Sequence, residues 1–340
     1  MVKVVFTADT HLGLDQPARV QAPHRRGPDF FANFDRVLDY AVTHRADLVL
    51  HGGDLFYRSR VPPRIVDMVY RRLGEFAAHG IPMGIIAGNH ERSALPPSLF
   101  LQHPNIHVFH RPSTHVFPTR NGRVAVTGIP FVRDVRGLPT LTASLRPEEA
   151  VDVRLLLLHQ AIEGATVGPA NYTFRAGDDV IPRSALPDGF HAYLSGHIHR
   201  RQVLWRVDAA GKRIPIIYPG SIERTSFAER EETKGFIVLT LGPEGGNIHF
   251  EPLPARPMLE VTLEGVRSPT HLVELLRGRL DGVDPRTILR LRVPEHALPW
   301  CTRKNLRGVL APAMPVTLRA ITATSPDEDE ASHVPDSPAE

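Results

Sequence analysis

The sequence predicts an α/β fold of two stacked sheets with helices outside, and three observations carry that prediction. Strand and helix patterns alternate from residue 1 to about residue 90, which implies parallel strands joined by crossover helices. From about residue 106 strands dominate instead. Short polar motifs follow apolar runs at Lys3 to Thr7, Leu48 to Leu50, Gly84 to Ile86 and Arg154 to Leu158, so the motifs fall in strand-end loops, where a rigid scaffold presents polar groups.

The elements follow in order. Lys3 to Thr7 opens the chain as a strand. Asp29 to His44 carries Phe30, Phe34, Val37, Leu38 and Ala41 at helical spacing, and Pro62 to His79 repeats the pattern with Ile65, Val66, Val69, Leu73 and Phe76. Leu48 to Leu50 and Gly84 to Ile86 complete a βαβαβ unit. Further strands are expected at Ile106 to Phe109, Val124 to Gly128, Val153 to Leu158, Ala192 to Leu194, Gln202 to Val207, Pro215 to Tyr218, Gly235 to Leu241 and Asn247 to Phe250. Pro252 to Pro257 reads as a linker. Beyond it the pattern gives a strand (Leu259 to Leu263), a helix (Thr270 to Leu280), a strand (Thr287 to Val293), a short helix near Thr302 to Leu310 and a strand (Val316 to Thr322). Three regions are therefore expected: a core over 1–253, a small α/β cap over 254–324, and an acidic tail over 325–340 whose composition predicts disorder.

A chain of 340 residues buries a full-sized core, and 42% hydrophobic with 23% charged residues is ordinary for a soluble protein. No apolar run approaches the ~20 residues of a membrane helix, and the N-terminus lacks a cleavage-site pattern, so a cytoplasmic location without a membrane partner is expected. One cysteine, Cys301, excludes an internal disulfide and reads as a small buried hydrophobe. The charge is uneven: six acids and no Lys or Arg follow Ser325, so the net +3 becomes +9 for residues 1–325. A basic body favours a polyanionic partner.

Seven ligand-type residues stand in the strand-end motifs: Asp9 and His11, Asp54, Asn89 beside His90, His159, and His197 with His199. Taken singly, each motif has a plain structural explanation. Asp-x-His closes a turn, Gly-Gly-Asp caps a helix, and Gly-Asn-His-Glu forms a left-handed turn. Co-occurrence of five such motifs in this order makes the joint coincidence improbable. Carboxylate, amide oxygen and imidazole together suit divalent manganese, iron or zinc, whereas calcium wants more oxygen and thiolates are absent. Seven side chains are too many for one ion, and with Asp54 shared they divide into two four-ligand sets.

The ordered set resembles the calcineurin-like metallophosphoesterases. The strings Thr7-Ala8-Asp9-Thr10-His11-Leu12-Gly13, His51-Gly52-Gly53-Asp54-Leu55-Phe56 and Tyr218-Pro219-Gly220-Ser221 are similar to the SbcD and meiotic-recombination-eleven DNA repair nucleases within them. So are Ser221-Ile222-Glu223-Arg224, Lys234-Gly235-Phe236 and Ala255-Arg256-Pro257. The resemblance implies a four-layer αββα metallophosphoesterase sandwich with a small C-terminal α/β cap that binds DNA. It assigns Asp9, His11, Asp54 and His199 to one ion and Asp54, Asn89, His159 and His197 to the other, with Mn2+ as the first choice and Fe2+ or Zn2+ also suited.

A water held between two such ions would lose its proton near neutral pH and attack phosphorus in line, and the ions would neutralise charge on the phosphate. His90 is the candidate to steady the transition state and protonate the leaving oxygen; an orienting hydrogen bond is its other reading. Arg58, Arg92 and Arg200, with Arg201, are candidates to grip flanking phosphates, although solvated faces explain each singly. His51 reads either as a support to the ligands or as a capped strand residue. Ser221 has no base motif and reads as a turn lining the site, not a nucleophile.

The leading functional expectation is a metal-dependent DNA nuclease, exo- or endonucleolytic, in DNA end processing, repair and recombination. The alternative is a metallophosphoesterase acting on a cyclic nucleotide or a phosphoprotein, and a non-catalytic DNA-binding scaffold is a third reading. The resemblance also implies an SMC-like ATPase partner of the SbcC type, a call weakened because the acidic tail stands where docking helices are expected. A homodimer through the helix at Pro62 to His79 is implied too, although packing on its own sheet explains that helix equally well.

Overall fold

The computed structural model describes residues 1–15, 25–91, 95, 103–138, 145, 150–175, 177–243, 245–311 and 314–321. They form two compact units. The larger comprises residues 1–15, 27–223 and 232–254; the smaller draws on 25–26, 224–231 and 255–321. The expected acidic tail, and Arg92 among the candidate phosphate contacts, lie outside the described residues.

In chain order the larger unit contains β1 (Val2–Thr7), α1 (Gly27–Thr43), β2 (Leu48–His51), α2 (Pro63–Ala77), β3 (Met83–Ile86), β4 (Ile106–Phe109), β5 (Ser113–Thr119), β6 (Gly122–Ile129) and β7 (Val153–His159). Four two-residue strands follow: β8 (Ala161–Ile162), β9 (Thr166–Val167), β10 (Tyr172–Thr173) and β11 (Val180–Ile181). The unit ends with β12 (Ala192–Gly196), β13 (Gln202–Val207), β14 (Arg213–Tyr218), β15 (Gly235–Gly242) and β16 (Gly245–Pro252). One sheet has the order β16-β15-β1-β2-β3-β4, and the other β13-β14-β12-β7-β6-β5. Strands β1 to β4 are parallel, as are β6, β7, β12 and β14; β5, β13, β15 and β16 pair antiparallel at the margins of these two sheets.

Side-chain alternation explains the layers. Val5, Val49 and Ile85 face outward from the first sheet and are covered by Phe30, Phe34 and Val37 of α1 and Val69 and Leu73 of α2. Each such buried side chain contributes ~1.5–3 kcal/mol, and the apolar stripe of α2 is spent on its own sheet. Val4, Phe6, Leu48 and Leu50 face inward and meet Val126, Leu155, Leu157 and Leu194 of the second sheet. Leu156 and Leu158 point out of the far side with Tyr193 and Ile216. The leucine run of β7 is thus a strand buried on both faces. Among the described residues, the fourth layer consists of Ile162, Ala165, Phe174, Ile181 and Leu186 from the short-strand segment.

Strand β5, not expected from the sequence, holds Pro118 next to its last residue; it lies at a sheet edge, where a missing N–H costs no ladder bond.

The smaller unit is a parallel sheet of β17 (Met258–Thr262), β18 (Ile288–Val293) and β19 (Val316–Ala320), in that order. Helix α3 (Pro269–Leu280) starts where Ser268 accepts a 3.1 Å hydrogen bond from the His271 N–H, and it buries Leu272 and Leu276 with Val261, Leu289 and Leu291. The short helix expected near Thr302 to Leu310 is instead a run of turns, and a 3₁₀ helix occupies Glu295–Trp300. The reason is local competition. Thr302 Oγ1 accepts from the Asn305 N–H, Asn305 Nδ2 donates to the Trp300 carbonyl, and Gly308 weakens what helix remains.

Candidate metal centre

The loops after β1, β2, β3, β7 and β12 leave the carboxyl ends of parallel strands, where open α/β sheets collect polar groups. Backbone bonds lock the loops together beyond the strands: Asp9 N–H to Gly53 O at 3.0 Å, His11 N–H to Asp54 O at 3.0 Å, and Leu12 N–H to Leu55 O at 2.8 Å. Side chains complete the stitching. Asp54 Oδ1 accepts from the His90 N–H at 3.0 Å, Asp9 Oδ1 accepts from the His197 N–H at 3.0 Å, and His159 Nδ1–H donates to Gly52 O at 2.7 Å.

This closeness explains the glycines of the motifs. A Cβ on Gly88 would stand 2.0 Å from Asp54 Oδ1, one on Gly53 2.4 Å from His159 Nδ1, and one on Gly196 2.3 Å from Gly52 O. The backbone is also strained where ligand-type residues stand. Asp9, His11, Asp54 and His197 have φ of 51°, 43°, 54° and 81°, and they are four of the six non-glycine residues with positive φ among those described. Each costs on the order of 1 kcal/mol or more, and strain of this kind collects at functional sites.

All seven expected ligands meet at this edge. Ligand atoms of three sets lie within 4.8 Å of one another: Asp9 with His11 and His199, His11 with Asp54 and His90, and Asp9 with Asp54 and His159. Asn89 Oδ1 joins them, 2.9 Å from His159 Nε2 and 3.0 Å from His197 Nδ1. His11 and His199 bring their Nε2 atoms to 2.9 Å.

This arrangement fits cations. Because His159 donates from Nδ1, a neutral ring turns the Nε2 lone pair toward the Asn89 oxygen and toward Asp54 Oδ2 at 3.4 Å, so acceptor faces acceptor. Asp9 Oδ2 is buried without a hydrogen-bond partner among the described residues. A single shared proton relieves one of these contacts and not all of them. Divalent ions relieve them together, and the mixture of carboxylate, amide oxygen and imidazole suits manganese, iron or zinc.

The titration behaviour agrees. Burial pushes the Asp9 carboxyl up against the pull of His159 and His199. Burial would raise Asp54 too, but the charge and hydrogen bond of His159, with His11 and His90, hold it well below the usual carboxylate range. His159 resists its own burial because Asp54 and Asp9 push it up to about 9, whereas burial beside His159 takes His197 down to about 3. In the metal-free protein the raised His159 ring sets a positive charge beside Asp54 and Asp9, where a cation supplies the same compensation.

His90 lies 37% exposed at the rim, its Nδ1–H donated to Tyr57 O at 2.7 Å and its Nε2 3.8 Å from Asp54 Oδ2. His51 is buried, and burial beside His159 lowers it to about 3. Its Nδ1 accepts from the Gly53 N–H at 3.3 Å, so its Nε2–H donates to Thr10 Oγ1 at 3.0 Å, and Thr10 donates to Leu55 O. It therefore braces two loops. Arg58 is exposed. Arg200, expected at substrate phosphates, is engaged within the protein by Glu232, Asn171 and Gly168. Arg201 stacks on the Phe250 ring at 4.6 Å, and Ser221 is fully buried.

Glu91 had no expected role and has a clear one. Its carboxylate accepts from the backbone N–H of Gly88, Asp54 and Phe56 at 2.7, 3.1 and 2.6 Å, joining the second loop to the third. Burial and Asp54 push its pKa up to about 8, yet three donors leave no acceptor for a proton, so the geometry favours the ionised form. The fourth letter of Gly-Asn-His-Glu was the available signal.

A protein named DNA double-strand break repair protein Mre11 from Sulfurisphaera tokodaii is 28% identical over 68% of this chain and 57% of its own length. One of the same name from Haloferax volcanii is 30% identical over 88% of this chain and 66% of its own length. The chain spans about half to two-thirds of the length of such curated relatives. A dimetal phosphatase from Danio rerio superposes with a TM-score of 0.41 and 12% identity, covering 73% of this chain and 98% of the other. The calcineurin-like phosphoesterase family matches residues 2–201, more than half of the sequence and all five loops, and the chain belongs to that family.

Proposed function

We propose that this protein is a metal-dependent phosphodiesterase that cuts DNA. The observation that carries the reading is the convergence of seven ligand-type side chains on one strand-end edge, with Asp9 Oδ2 buried and without a hydrogen-bond partner among the described residues. Asp9, His11, Asp54 and His199 would hold one divalent ion, and Asn89, His159 and His197 with Asp54 would hold the other. Manganese suits the set best. Bound there, two such ions acidify water and offset charge on the phosphate oxygens.

The chain's own residues do the rest. Glu91 and His51 keep the loops in register. The Tyr57 carbonyl fixes the tautomer of His90, so Nε2 is the atom that carries and delivers a proton to the leaving oxygen from the open rim. DNA as substrate rests on the relatives' repair names and on the +9 charge of residues 1–325.

The test is digestion of linear duplex, hairpin and single-stranded DNA by the Mn2+-supplemented protein. The His90→Ala form should bind DNA but turn over about 10²- to 10⁴-fold more slowly. Activity confined to cyclic mononucleotides would replace the DNA reading with a small-substrate one. Binding without any metal-dependent turnover would make the chain a scaffold.

A further inference from the structure

Lys234 is buried to 1% exposure and has no part in the chemistry above. An ammonium is retained in an interior only with close partners. Its Nζ donates to Glu232 Oε2 at 2.9 Å and to the backbone carbonyl of His199 at 3.0 Å. The same carbonyl accepts the Ser221 N–H at 3.1 Å. Glu232 turns its other oxygen to Arg200 Nε–H at 3.0 Å, and Arg200 donates onward to Gly168 O at 2.6 Å and Asn171 Oδ1 at 2.7 Å. Gly168 and Asn171, with φ of 68° and 54°, shape the turn of the β9–β10 hairpin. Gln202 holds that hairpin separately, accepting from the Thr166 N–H and donating to Thr166 O, each at 2.9 Å.

We propose that Lys234, Glu232 and Arg200 are positioning residues, a relay of alternating charge that fixes the His199 backbone, and with it the ring aimed at His11, to the 166–173 hairpin. The consequence for metal binding rests on the reading given under Proposed function. Charge-assisted hydrogen bonds are the stronger ones, and partners behind a ligand set its orientation. The hairpin and the metal edge are thereby coupled through side chains that touch neither ion nor substrate.

The test uses the full chain in two arms. The first is amide hydrogen exchange followed by NMR without metal; the second is calorimetric titration with Mn2+. The double variant Glu232→Gln, Lys234→Met neutralises the pair without stranding a buried charge. It should deprotect the Ser221 amide and weaken Mn2+ binding about tenfold. Arg200→Ala should raise exchange in the 166–173 hairpin while Ser221 stays protected. A folded double variant with wild-type Ser221 exchange and Mn2+ affinity overturns the relay. If the double variant does not fold, unchanged hairpin exchange in Arg200→Ala overturns it and raised exchange supports it. A wild-type protein that binds no Mn2+ overturns the metal reading instead, and the exchange arm still judges the relay.

Discussion

Histidines meet at two margins of the larger unit, with opposite surroundings. At the strand-end edge five of them stand among Asp9, Asp54 and Asn89 on strained loops. At the β4–β5 margin, His107 and His115 stack with ring centroids 3.9 Å apart, edge-on to Phe109 and Phe117. No carboxylate approaches that pair in the described contacts, and the backbone there is regular. The difference teaches that histidine density does not make a metal centre. Buried carboxylates do, because they demand a positive charge that stacked neutral rings refuse.

Removing the carboxylate breaks the comparison most sharply. Asp54→Asn should leave the ligand cluster without its shared negative charge, with Mn2+ binding lost and phosphodiester turnover down by several kcal/mol of activation, about 10³-fold, in titration and steady-state assays. Gly53→Ala comes next. Its methyl group meets His159 Nδ1 at φ +94°, so Mn2+ affinity should fall about tenfold and stability by about 1–3 kcal/mol in denaturant melts.

His159 at the strand-end edge and His107 at the β4–β5 margin should respond to pH with opposite sign in the metal-free protein. His159, raised to about 9 above its ordinary 6.5, contributes stability that is complete below pH 6.5 and is lost as pH rises through about 9. His107 is driven down to about 4 by burial, then by His115 and His110, so its contribution is complete above pH 6.5 and is lost as pH falls toward 4. Melting temperatures measured from about pH 4 to about pH 10 should decline at both ends. Mn2+ should abolish the alkaline decline. The smallest effect is His115→Ala, which removes a ring stack worth about 0.5–1.5 kcal/mol and should leave Mn2+ binding unchanged.

Much of the larger unit was legible because local patterns encode it. The stripe of Phe30, Phe34 and Val37, and that of Val69 and Leu73, each state a helix face, and each ligand motif directly follows the strand that aims it. What escaped depends on partners distant in the sequence. Lys234 stands in the sequence only as one letter of the Lys234-Gly235-Phe236 string, with no role, until the fold sets it under the carbonyl of His199, 35 residues away. Glu91 looks like one more charged loop residue until three backbone donors surround it. The smaller unit draws on 224–231 as well as 255–321, and Phe227 lies under Arg290 at 4.1 Å, a contact no periodicity announces. The β8 to β11 ladders, two residues each, are too short for any alternation to register.

The left-handed backbone at Asp9, His11, Asp54 and His197 carries a warning for engineering. Glycine at any of the four relaxes the chain while deleting a ligand-type side chain of the proposed centre. A library screened for heat resistance in chelator will therefore drift away from ion capture, whereas the same library screened in Mn2+ will keep it.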